Sequence, residues 1–414
     1  MRKQRDVTRH LRWARSALAL SVLIRLVWML ATPDGMNVVD LRVYVFGSAN
    51  LGSGSLYDFT YSDKTPDFPL PFTYPPFAAV LFYPMHFLPF TLVAVGWLLL
   101  IVAALYGVVR LTQRMLLGGG ADEQSAKTGA VWWTAIGMWM EPVRVTIDYG
   151  QVNVFLVLAV MVAATTSRKW LPGLLIGLAA GVKLTPAVTG LYFLARKRWA
   201  SAVWSAVVFG GTVIVCLLIS PGETRTYFGP LIGDAHRIGP VGSVENQSVR
   251  GALTRLLGYD AGEAWTLHGH RIPWGPWWLA GVVVVTVLAY FAWRALGPDD
   301  DLGTLLVVQL FGLMVSPISW AHHFVWLLPL ILWLRHGPWR DRPGARQLYW
   351  AWLVVSLVGV PWVLLSFQPT IWTISRPGVL SWLGAVYVLG TLFTFGWLIR
   401  TGRRSAVREL HPVG

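Results

Sequence analysis

The stretch FTLVAVGWLLLIVAALYGVV, residues 90–109, decides the fold class because it runs for twenty positions without a charged side chain. A helix needs about 20 apolar residues to cross the hydrocarbon core of a membrane. The rest of the chain has the same character, since 55% of its 414 residues are hydrophobic and 13% are charged, against about 25% charged in soluble domains. The composition therefore predicts that lipid is the solvent for most of the chain.

Further apolar runs predict an all-α polytopic membrane protein with about 12 transmembrane helices and with interfacial helices in its outer loops. Residues 170–195 are expected to form two short half-helices that meet at 183–186. We expect one integral membrane domain over residues 1–414. The predicted spans lie near 16–32, 90–112, 128–142, 152–167, 200–219, 276–295, 302–317, 322–335, 348–366 and 378–399.

The basic residues predict the topology, because Lys and Arg collect in short cytoplasmic loops. Placing these residues on one side puts both termini in the cytoplasm and leaves 33–89 and 220–275 as the largest outer loops. The basic stretch 2–15 precedes a first transmembrane helix, since no A-x-A-like cleavage site follows that helix. Residues 74–88 contain three prolines. If this segment crossed the membrane, the basic residues Arg110 and Arg114 after the next span would lie outside, so we expect it to lie along the outer interface.

Asp40 lies a few residues beyond the first predicted span. An acidic side chain that close to lipid is costly unless it is paired or functional, so Asp40 is a candidate site residue. A solvated loop carboxylate is the alternative. The other acids of this loop stand among Gly, Ser, Thr and Pro and are expected to be turn residues. They are Asp34, Asp58, Asp63 and Asp67.

A second outer segment reads EPVRVTIDYGQVN, residues 141–153, and is expected to be a turn between two apolar helices. Gln151 and Asn153 stand at the mouth of a span, and their amides offer the paired donors and acceptors that sugar hydroxyls require. Ion pairing within the turn is the alternative for its charged residues. Lys183, in AAGVKLTPA, is expected at membrane depth, where a lysine should pair or bind an anion.

Two segments nearer the carboxyl end carry candidate anion ligands. NQSVRGALTRLLG, residues 246–258, predicts a short amphipathic helix with Asn246, Gln247, Arg250 and Arg255. A guanidinium grips two phosphate oxygens, although an interfacial arginine that only snorkels is the alternative. SPISWAHHFVW predicts a turn that places His322 and His323 at the outer mouth, where hydrogen bonding to phosphate or sugar is favoured over zinc.

A cytoplasmic, nucleotide-driven enzyme is excluded because the sequence lacks the motifs that such an enzyme needs. There is no Walker A lysine loop, no GxGxxG after a strand and no HExxH. The single cysteine, Cys216, lies in an apolar run and predicts neither an intrachain disulfide nor a zinc site.

Five blocks, taken in order, resemble the GT-C glycosyltransferases of family 87. The similarity extends from about residue 20 to residue 400, and it implies transfer of a sugar from a lipid-linked phosphate donor at the outer face of the membrane. The blocks are VDLRVY (39–44) with GSLY (54–57) and FTYPPFAAVLFYP (72–84), IDYGQVN (147–153), GVKLTPA (181–187), NQSVRGALTRLLG (246–258) and SPISWAHHFVWLLPL (316–330).

The resemblance implies roles for particular residues. The family's catalytic acid in the first loop matches Asp40, with Asp58 as second choice. Donor phosphate or sugar binding falls to His322, His323, Arg250, Lys183, Asn246, Gln247, Gln151, Asn153 and Tyr74. Asp40 would deprotonate the acceptor hydroxyl as general base. The donor carries one phosphodiester, which Arg or His can neutralise without a metal. The resemblance implies inversion of configuration, no metal and no other cofactor.

The expected substrates are polyprenyl-phosphate-mannose and a phosphatidylinositol mannoside, which would be joined by an α-1,2 linkage. The expected place is the plasma (inner) membrane, with several passes and the active site facing outward; no nucleic acid is expected as a partner. A flippase or transporter of lipid-linked sugars is the alternative of a different class. A non-catalytic binding subunit and a GT-C transferase for another envelope polysaccharide, such as lipomannan or arabinan, also stay open. Transporters keep their polar residues near the midplane, whereas the polar residues here are predicted at one face.

Overall fold

The computed structural model describes most of the chain, in two compact units. The first unit comprises residues 1–139 and 143–238, and the second unit comprises 140–142 and 239–414. The single-domain organisation expected for 1–414 stays a prediction. The described residues are 2–32, 36–65, 68–118, 122–257, 265–267, 270–272, 274–367 and 379–410. The expected outer loop at 367–377 lies almost wholly outside the described residues, as do Asp34 and Asp67.

The first unit is built from helices and one small hairpin. A 3₁₀ turn at Tyr83–Phe87 follows α3, another at Thr185–Val188 precedes α9, and a π turn at Tyr227–Leu231 follows α11. Strands β1 (Thr60–Tyr61) and β2 (Leu70–Pro71) pair antiparallel. The helices are α1 (Arg2–Ala31), α2 (Val39–Ser48), α3 (Pro76–Phe82), α4 (Phe90–Leu117), α5 (Glu123–Gly137), α6 (Glu141–Tyr149), α7 (Asn153–Thr165), α8 (Leu171–Val182), α9 (Thr189–Ala195), α10 (Trp199–Ile219), α11 (Pro221–Thr226) and α12 (Ala235–Ile238).

The second unit is also helical, with a second antiparallel hairpin formed by β3 (Trp265–Leu267) and β4 (His270–Ile272). A 3₁₀ turn at Ala321–Trp326 precedes α16. Asp300 caps α15 by accepting from the main-chain N–H of Gly303 at 2.8 Å. The helices are α13 (Val249–Leu257), α14 (Trp274–Ala295), α15 (Asp301–Val315), α16 (Leu327–His336), α17 (Ala345–Val358), α18 (Val360–Leu365), α19 (Val379–Leu383) and α20 (Val386–Leu410).

Within the described residues, five helical stretches are long and apolar enough to cross a membrane, so the chain is a multi-pass membrane protein. The predicted count of about twelve is not confirmed. The 13 residues of α7 rise about 20 Å at 1.5 Å each, which is less than the roughly 30 Å of a hydrocarbon core. The five stretches are Arg9–Ala31, Phe90–Leu117, Trp199–Ile219, Gly275–Ala295 and Ala345–Leu365.

One local prediction is confirmed and two need correction. Residues 170–195 form two half-helices that break after Val182. Residues 74–88 form the short helix α3 and a 3₁₀ turn, and their position along the outer interface stays a prediction. The span predicted at 128–142 ends at Gly137, and the turn predicted from 141 is instead the helix α6. The sequence carries the signals for α6, since Pro142 stands in the first turn and Gly150 follows the last residue.

A stripe of glycines lets α8 approach α10 closely. Gly173, Gly177 and Gly181 recur every fourth residue, so they share one face of the helix. A Cβ at Gly177 would lie 2.5 Å from Cβ of Val208 and 2.8 Å from the main-chain oxygen of Ser205. Small residues at this spacing are typical of helix pairs that associate in lipid. The motif is visible in the sequence but was not among the features predicted from it.

The stripe predicts that one methyl group will separate the two helices. In Gly177→Ala the added Cβ overlaps Val208, and overpacking of this kind costs about 1–3 kcal/mol. We expect a lower thermal midpoint in detergent, measured by fluorescence-detected gel filtration. The control is Gly210→Ala on α10, where a Cβ meets nothing within 4 Å and alanine favours the helix. Equal midpoints for the two variants would contradict the role given to the stripe.

Candidate functional site

Asp40 stands in the first turn of α2 and keeps some contact with solvent, since its side chain is half-buried. The residue before α2, Val38, has φ 43° and ψ 41°, which is a strained conformation for a β-branched side chain. Its main-chain N–H donates to the carbonyl of Asp148 at 3.0 Å. This bond ties the start of α2 to the last turn of α6.

Gln151 holds the centre of a buried polar cluster beside Asp40. Its Oε1 accepts from the hydroxyl of Tyr44 at 2.8 Å and from that of Tyr74 at 3.4 Å. The two hydroxyls are themselves 2.9 Å apart. The side chain of Gln151 also acts on the carboxylate of Asp40, whose pKa it lowers as a hydrogen-bond donor. The Asp40 cluster consists of Asp40, Tyr44, Tyr74, Gln151, Asn153 and Lys183.

Lys183 brings a positive charge into the Asp40 cluster. It lies at the break after α8, with extended backbone and a side chain that is 9% exposed. Its Nζ donates to Oδ1 of Asn153 at 3.0 Å and to Oε1 of Gln151 at 3.4 Å. The same Nζ stands 5.4 Å from the centre of the Tyr74 ring, within range of a cation–π contact.

The surroundings of Asp40 change its acidity. Burial among protein atoms raises the pKa of Asp40 to about 6, and the hydrogen bond from Gln151 and the charge of Lys183 hold it from rising further. Burial also raises the pKa of the Tyr74 hydroxyl, so this group stays a neutral donor. A carboxyl that titrates near neutral pH while keeping access to solvent is suited to accept a proton from a ligand.

The turn between α6 and α7 fixes where Gln151 stands. The N–H of Gln151 donates to the carbonyl of Thr146 at 2.9 Å, and the N–H of Gly150 donates to that of Ile147 at 3.2 Å, which together form a Schellman motif. Gly150 has φ +72°, and a Cβ there would lie 2.6 Å from Cβ of Leu41. Glycine is therefore required for this turn to pack against α2.

Arg25 ties α1 to the same turn. Its guanidinium donates to Oδ1 of Asp148 at 2.9 Å and to the carbonyl of Met138 at 3.3 Å. The ring centre of Trp139 is 4.7 Å from its Cζ. Asp148 therefore pairs outside α6, although pairing within the segment was the alternative considered from the sequence. An arginine inside an apolar helix is itself a signal, and Arg25 was not among the residues chosen from the sequence.

Asp58 is placed differently from Asp40. It is exposed, and its main-chain N–H donates to the carbonyl of Ser55 in a turn. The preceding loop is held by Glu223, whose carboxylate accepts from the N–H groups of Gly52, Gly54 and Leu56. Nothing in this arrangement resembles the enclosure of Asp40, and we rank Asp58 as a turn residue.

In the second unit, the blocks that contain NQS and SWAHH lie side by side. The N–H of Gln247 donates to the carbonyl of Ser319 at 2.7 Å, and that of Ala321 donates to the carbonyl of Glu245 at 2.8 Å. His322 is buried in the 3₁₀ turn, and its ring stands 4.8 Å from that of His323, nearly perpendicular to it. Arg250 is 8% exposed.

The amides of Asn246 and Gln247 are occupied by the main chain, which corrects their predicted role. Asn246 donates to the carbonyls of Val241 and Pro317 and accepts from the N–H groups of Ser248 and Ser319. Gln247 donates to the carbonyls of Val244 and Gly384 and accepts from the N–H of Tyr387. An amide that has used its donors and acceptors has none left for a sugar.

Arg255 is also structural rather than interfacial. It is 2% exposed, and its guanidinium donates to the carbonyls of Ser243, Asn246 and Gly384. The amphipathic helix predicted for this segment is confirmed as α13, but the side of the helix that bears Arg255 faces protein. The predicted phosphate-binding roles of His322, His323 and Arg250 stay predictions.

Within the described part of the chain, no three His, Cys, Asp or Glu side chains lie together in a group that could hold a metal ion. The expectation of a metal-free site stays a prediction.

Comparison with known proteins gives one family and several full-length relatives. The model of glycosyltransferase family 87 matches residues 72–317. The chain is 55% identical, over 94% of its length and 91% of the relative's, to the polyprenol-phosphate-mannose-dependent α-(1-2)-phosphatidylinositol pentamannoside mannosyltransferase of Mycolicibacterium smegmatis. It is 53% identical to the protein of that name from Mycobacterium tuberculosis, over 97% and 90% of the two chains.

A third relative, also from Mycobacterium tuberculosis, is 31% identical over 90% of this chain and 88% of its own. It is named as a phosphatidylinositol mannoside mannosyltransferase that depends on the same donor. No solved structure matches the chain.

The pair between Arg25 and Asp148 should contribute strongly to stability. Arg25→Met removes the cation that is hydrogen-bonded to Asp148, and breaking a buried pair in this way costs about 3–5 kcal/mol. We expect a clear drop in the thermal midpoint, followed by tryptophan emission, and partial recovery in Arg25→Met/Asp148→Asn. The matched control is Arg110→Met, whose partner Glu123 is largely exposed, so a much smaller drop in the midpoint is expected. Equal losses of stability in the two single variants would show that the buried pair stabilises the fold no more than the exposed pair does.

Proposed function

Because this chain belongs to glycosyltransferase family 87, we propose that it transfers mannose from polyprenyl-phosphate-mannose to a phosphatidylinositol mannoside in α-1,2 linkage. The relatives above half identity are named for a pentamannoside acceptor, whereas the relative at 31% is named for phosphatidylinositol mannoside. The higher identity therefore favours the pentamannoside as acceptor. The enzyme is a glycosyltransferase, which leaves no support for the flippase or transporter considered from the sequence.

The observation that carries the mechanism is the enclosure of Asp40. A single carboxylate with pKa about 6, partly open to solvent, is suited to act as general base at neutral pH. Asp40 accepts the proton of the acceptor hydroxyl as that oxygen forms a bond to the anomeric carbon of mannose. The bond from this carbon to the phosphate oxygen breaks, and polyprenyl phosphate leaves with the electron pair. A single displacement of this kind inverts the configuration at the anomeric carbon.

The leaving group carries one phosphate, so we propose that the reaction needs no divalent ion. A nucleotide-diphosphate donor would normally require a metal to hold its leaving group. We keep the prediction that His322, supported by Arg250, neutralises the donor phosphate by charge-assisted hydrogen bonding.

We further propose that the Asp40 cluster faces away from the cytoplasm. In the first unit the cluster lies near the carboxyl ends of α1 and α8 and the amino ends of α4 and α7. The opposite ends of these helices carry basic residues, which are typical of the cytoplasmic side. These basic residues are Arg9, Arg12 and Arg15 for α1, Arg110 and Arg114 for α4, and Arg168 and Lys169 between α7 and α8.

Substitution of Asp40 tests the mechanism. Asp40→Asn keeps the shape of the side chain but removes its ability to take a proton, so kcat should fall by about 10²–10⁴-fold while donor binding stays near normal. The assay uses labelled polyprenyl-phosphate-mannose and a panel of phosphatidylinositol mannosides in excess EDTA. GDP-mannose should not replace the donor. The control is Asp58→Asn, which should retain near wild-type turnover because Asp58 is exposed.

Turnover of Asp40→Asn within a few-fold of wild type would remove Asp40 from the mechanism. Activity that is lost in EDTA and returns with Mg²⁺ or Mn²⁺ would overturn the metal-free proposal.

Orientation is tested with single cysteines in a Cys216→Ser background. Ser62→Cys and Gly233→Cys should react with an impermeant thiol reagent added to intact spheroplasts, because both positions are exposed and lie in the predicted outer loops. Ser125→Cys and Asp341→Cys, which are also exposed, should react only after the membrane is opened. Labelling of Ser125→Cys in intact spheroplasts would reverse the proposed orientation.

A further inference from the structure

We infer that Gln151 and Lys183 are positioning residues, which act on mannosyl transfer through Asp40 rather than by binding the donor. The inference rests on the general-base role proposed for Asp40. It replaces the expectation that Gln151, Asn153 and Lys183 bind the donor's phosphate or sugar. Three features of the Asp40 cluster carry it: the orientation of the Gln151 amide, the anchoring of its backbone, and the placement of the Lys183 charge.

The orientation of the Gln151 amide is determined by its neighbours. Two hydroxyls and one ammonium converge on Oε1, from Tyr44, Tyr74 and Lys183. Each hydroxyl can donate one proton or accept one, whereas the ammonium can only donate, so the ammonium decides which amide atom faces this side. Rotating the amide by 180° would turn N–H groups toward the ammonium and a carbonyl oxygen toward the carboxylate of Asp40. The network therefore fixes Nε2 as the atom that donates to Asp40.

The backbone of Gln151 cannot move independently of α2. The Schellman motif fixes its N–H on the carbonyl of Thr146, and the neighbouring Gly150 lies against Leu41, the residue after Asp40. Trp97 adds a third restraint, since its Nε1 donates to the carbonyl of Gly150 at 2.9 Å. The donor atom of Gln151 and the acceptor atoms of Asp40 are therefore held by the same contact between two turns.

Lys183 supplies the charge that favours the ionised form of Asp40. Its Nζ is held between Asn153 and Gln151, and its field lowers the pKa that burial has raised. The hydroxyls of Tyr44 and Tyr74 are the other titratable groups that bear on Asp40. Both stay protonated and neutral. Burial lowers the pKa of Lys183 to about 7, and the charge of Asp40 opposes that fall, so Lys183 is the cation that acts on this carboxylate at the acidic side of the pH profile.

The consequence is a base held in one orientation and kept ionised near neutral pH. A carboxylate has more acceptor sites than the one amide donor of Gln151 can fill, which leaves capacity for the acceptor hydroxyl. Asp40 acts as a base only when ionised, so activity falls as the pH drops through its pKa. Loss of Lys183 removes an attraction for the ionised form and raises that pKa, by about 1–3 units for a neighbouring opposite charge. The acidic limb of the pH profile must then move to higher pH.

The experiment compares pH profiles of kcat/KM for the full-length enzyme and three variants. In Lys183→Met and Gln151→Leu we expect the acidic limb to move upward by about 1–3 pH units. Because the wild-type pKa of Asp40 is about 6, turnover at pH 7 should fall about twofold for a shift of one unit, about tenfold for two and about 100-fold for three. Turnover should recover toward pH 9, with the donor KM within about twofold of wild type. Lys183→Arg should restore most of the limb.

The matched control is Arg42→Met. Arg42 stands two residues from Asp40 on α2 but donates to the carbonyl of Asn37 and packs 4.1 Å from the Phe90 ring centre. Its loss removes one positive charge from the same helix, and the acidic limb should not move.

Two other results would overturn the inference. A donor KM raised more than tenfold in Lys183→Met, with the acidic limb unmoved, would mean that Lys183 binds the donor phosphate. A loss of activity that is equal at all pH values, with a lowered thermal midpoint, would mean that the residue only supports the fold. If Asp40→Asn also kept wild-type turnover, the general-base proposal itself would fail. An inactive Asp40→Asn beside an unmoved limb would remove only the positioning role of Gln151 and Lys183.

Discussion

A carboxylate surrounded by protein must exchange its hydration for fixed polar partners, and much of the first unit is arranged around that need at Asp40. The amide of Gln151 and the charge of Lys183 supply what water would otherwise supply. Each partner needs a support of its own, so the network extends to Tyr44, Tyr74 and Asn153. The short α2 carries Asp40, the break after α8 carries Lys183, and the turn after α6 carries Gln151.

The surrounding lipid makes fixed polar partners more necessary than they would be in water. An ammonium or carboxylate near hydrocarbon has no cheap alternative to a protein partner, which explains why Arg25 and Asp148 also pair. Their pair joins α1 to α6, while the carbonyl of Asp148 receives the N–H of Val38 at the start of α2. The apolar helices therefore provide the enclosure, and a small number of polar contacts fix how the helices meet.

Much of the candidate site could be predicted from sequence. Asp40, Tyr74, Gln151, Asn153 and Lys183 were chosen from three separate blocks, and the structure brings them into one cluster. The resemblance to family 87 is confirmed by the family model and by full-length relatives. An acid, a lysine and amides at the ends of apolar runs are informative because lipid leaves few reasons to keep them there.

Other features could not be predicted, for identifiable physical reasons. Asn246 and Gln247 carry the same amide as Gln151, and only the fold shows that their partners are main-chain groups. Tyr44 was missed because an aromatic residue in an apolar segment is usually a packing residue, and its hydroxyl matters only beside Gln151. The number of spans also stays unconfirmed, because hydropathy marks apolar runs such as α7 that are only 13 residues long, shorter than a helix needs to cross a full hydrocarbon core.

The turn after α6 makes the length of this segment as important as its composition. Gln151 occupies the second position beyond the helix cap, and the Schellman hydrogen bonds define that position by counting residues from Thr146. One residue inserted in α6 ahead of this turn would rotate the turn by about 100° around the helix axis, since a helix turns once in 3.6 residues. The amide would then point away from Asp40 while every residue type was preserved. Insertions and deletions, more than conservative substitutions, set the limits on how this part of the chain can diverge.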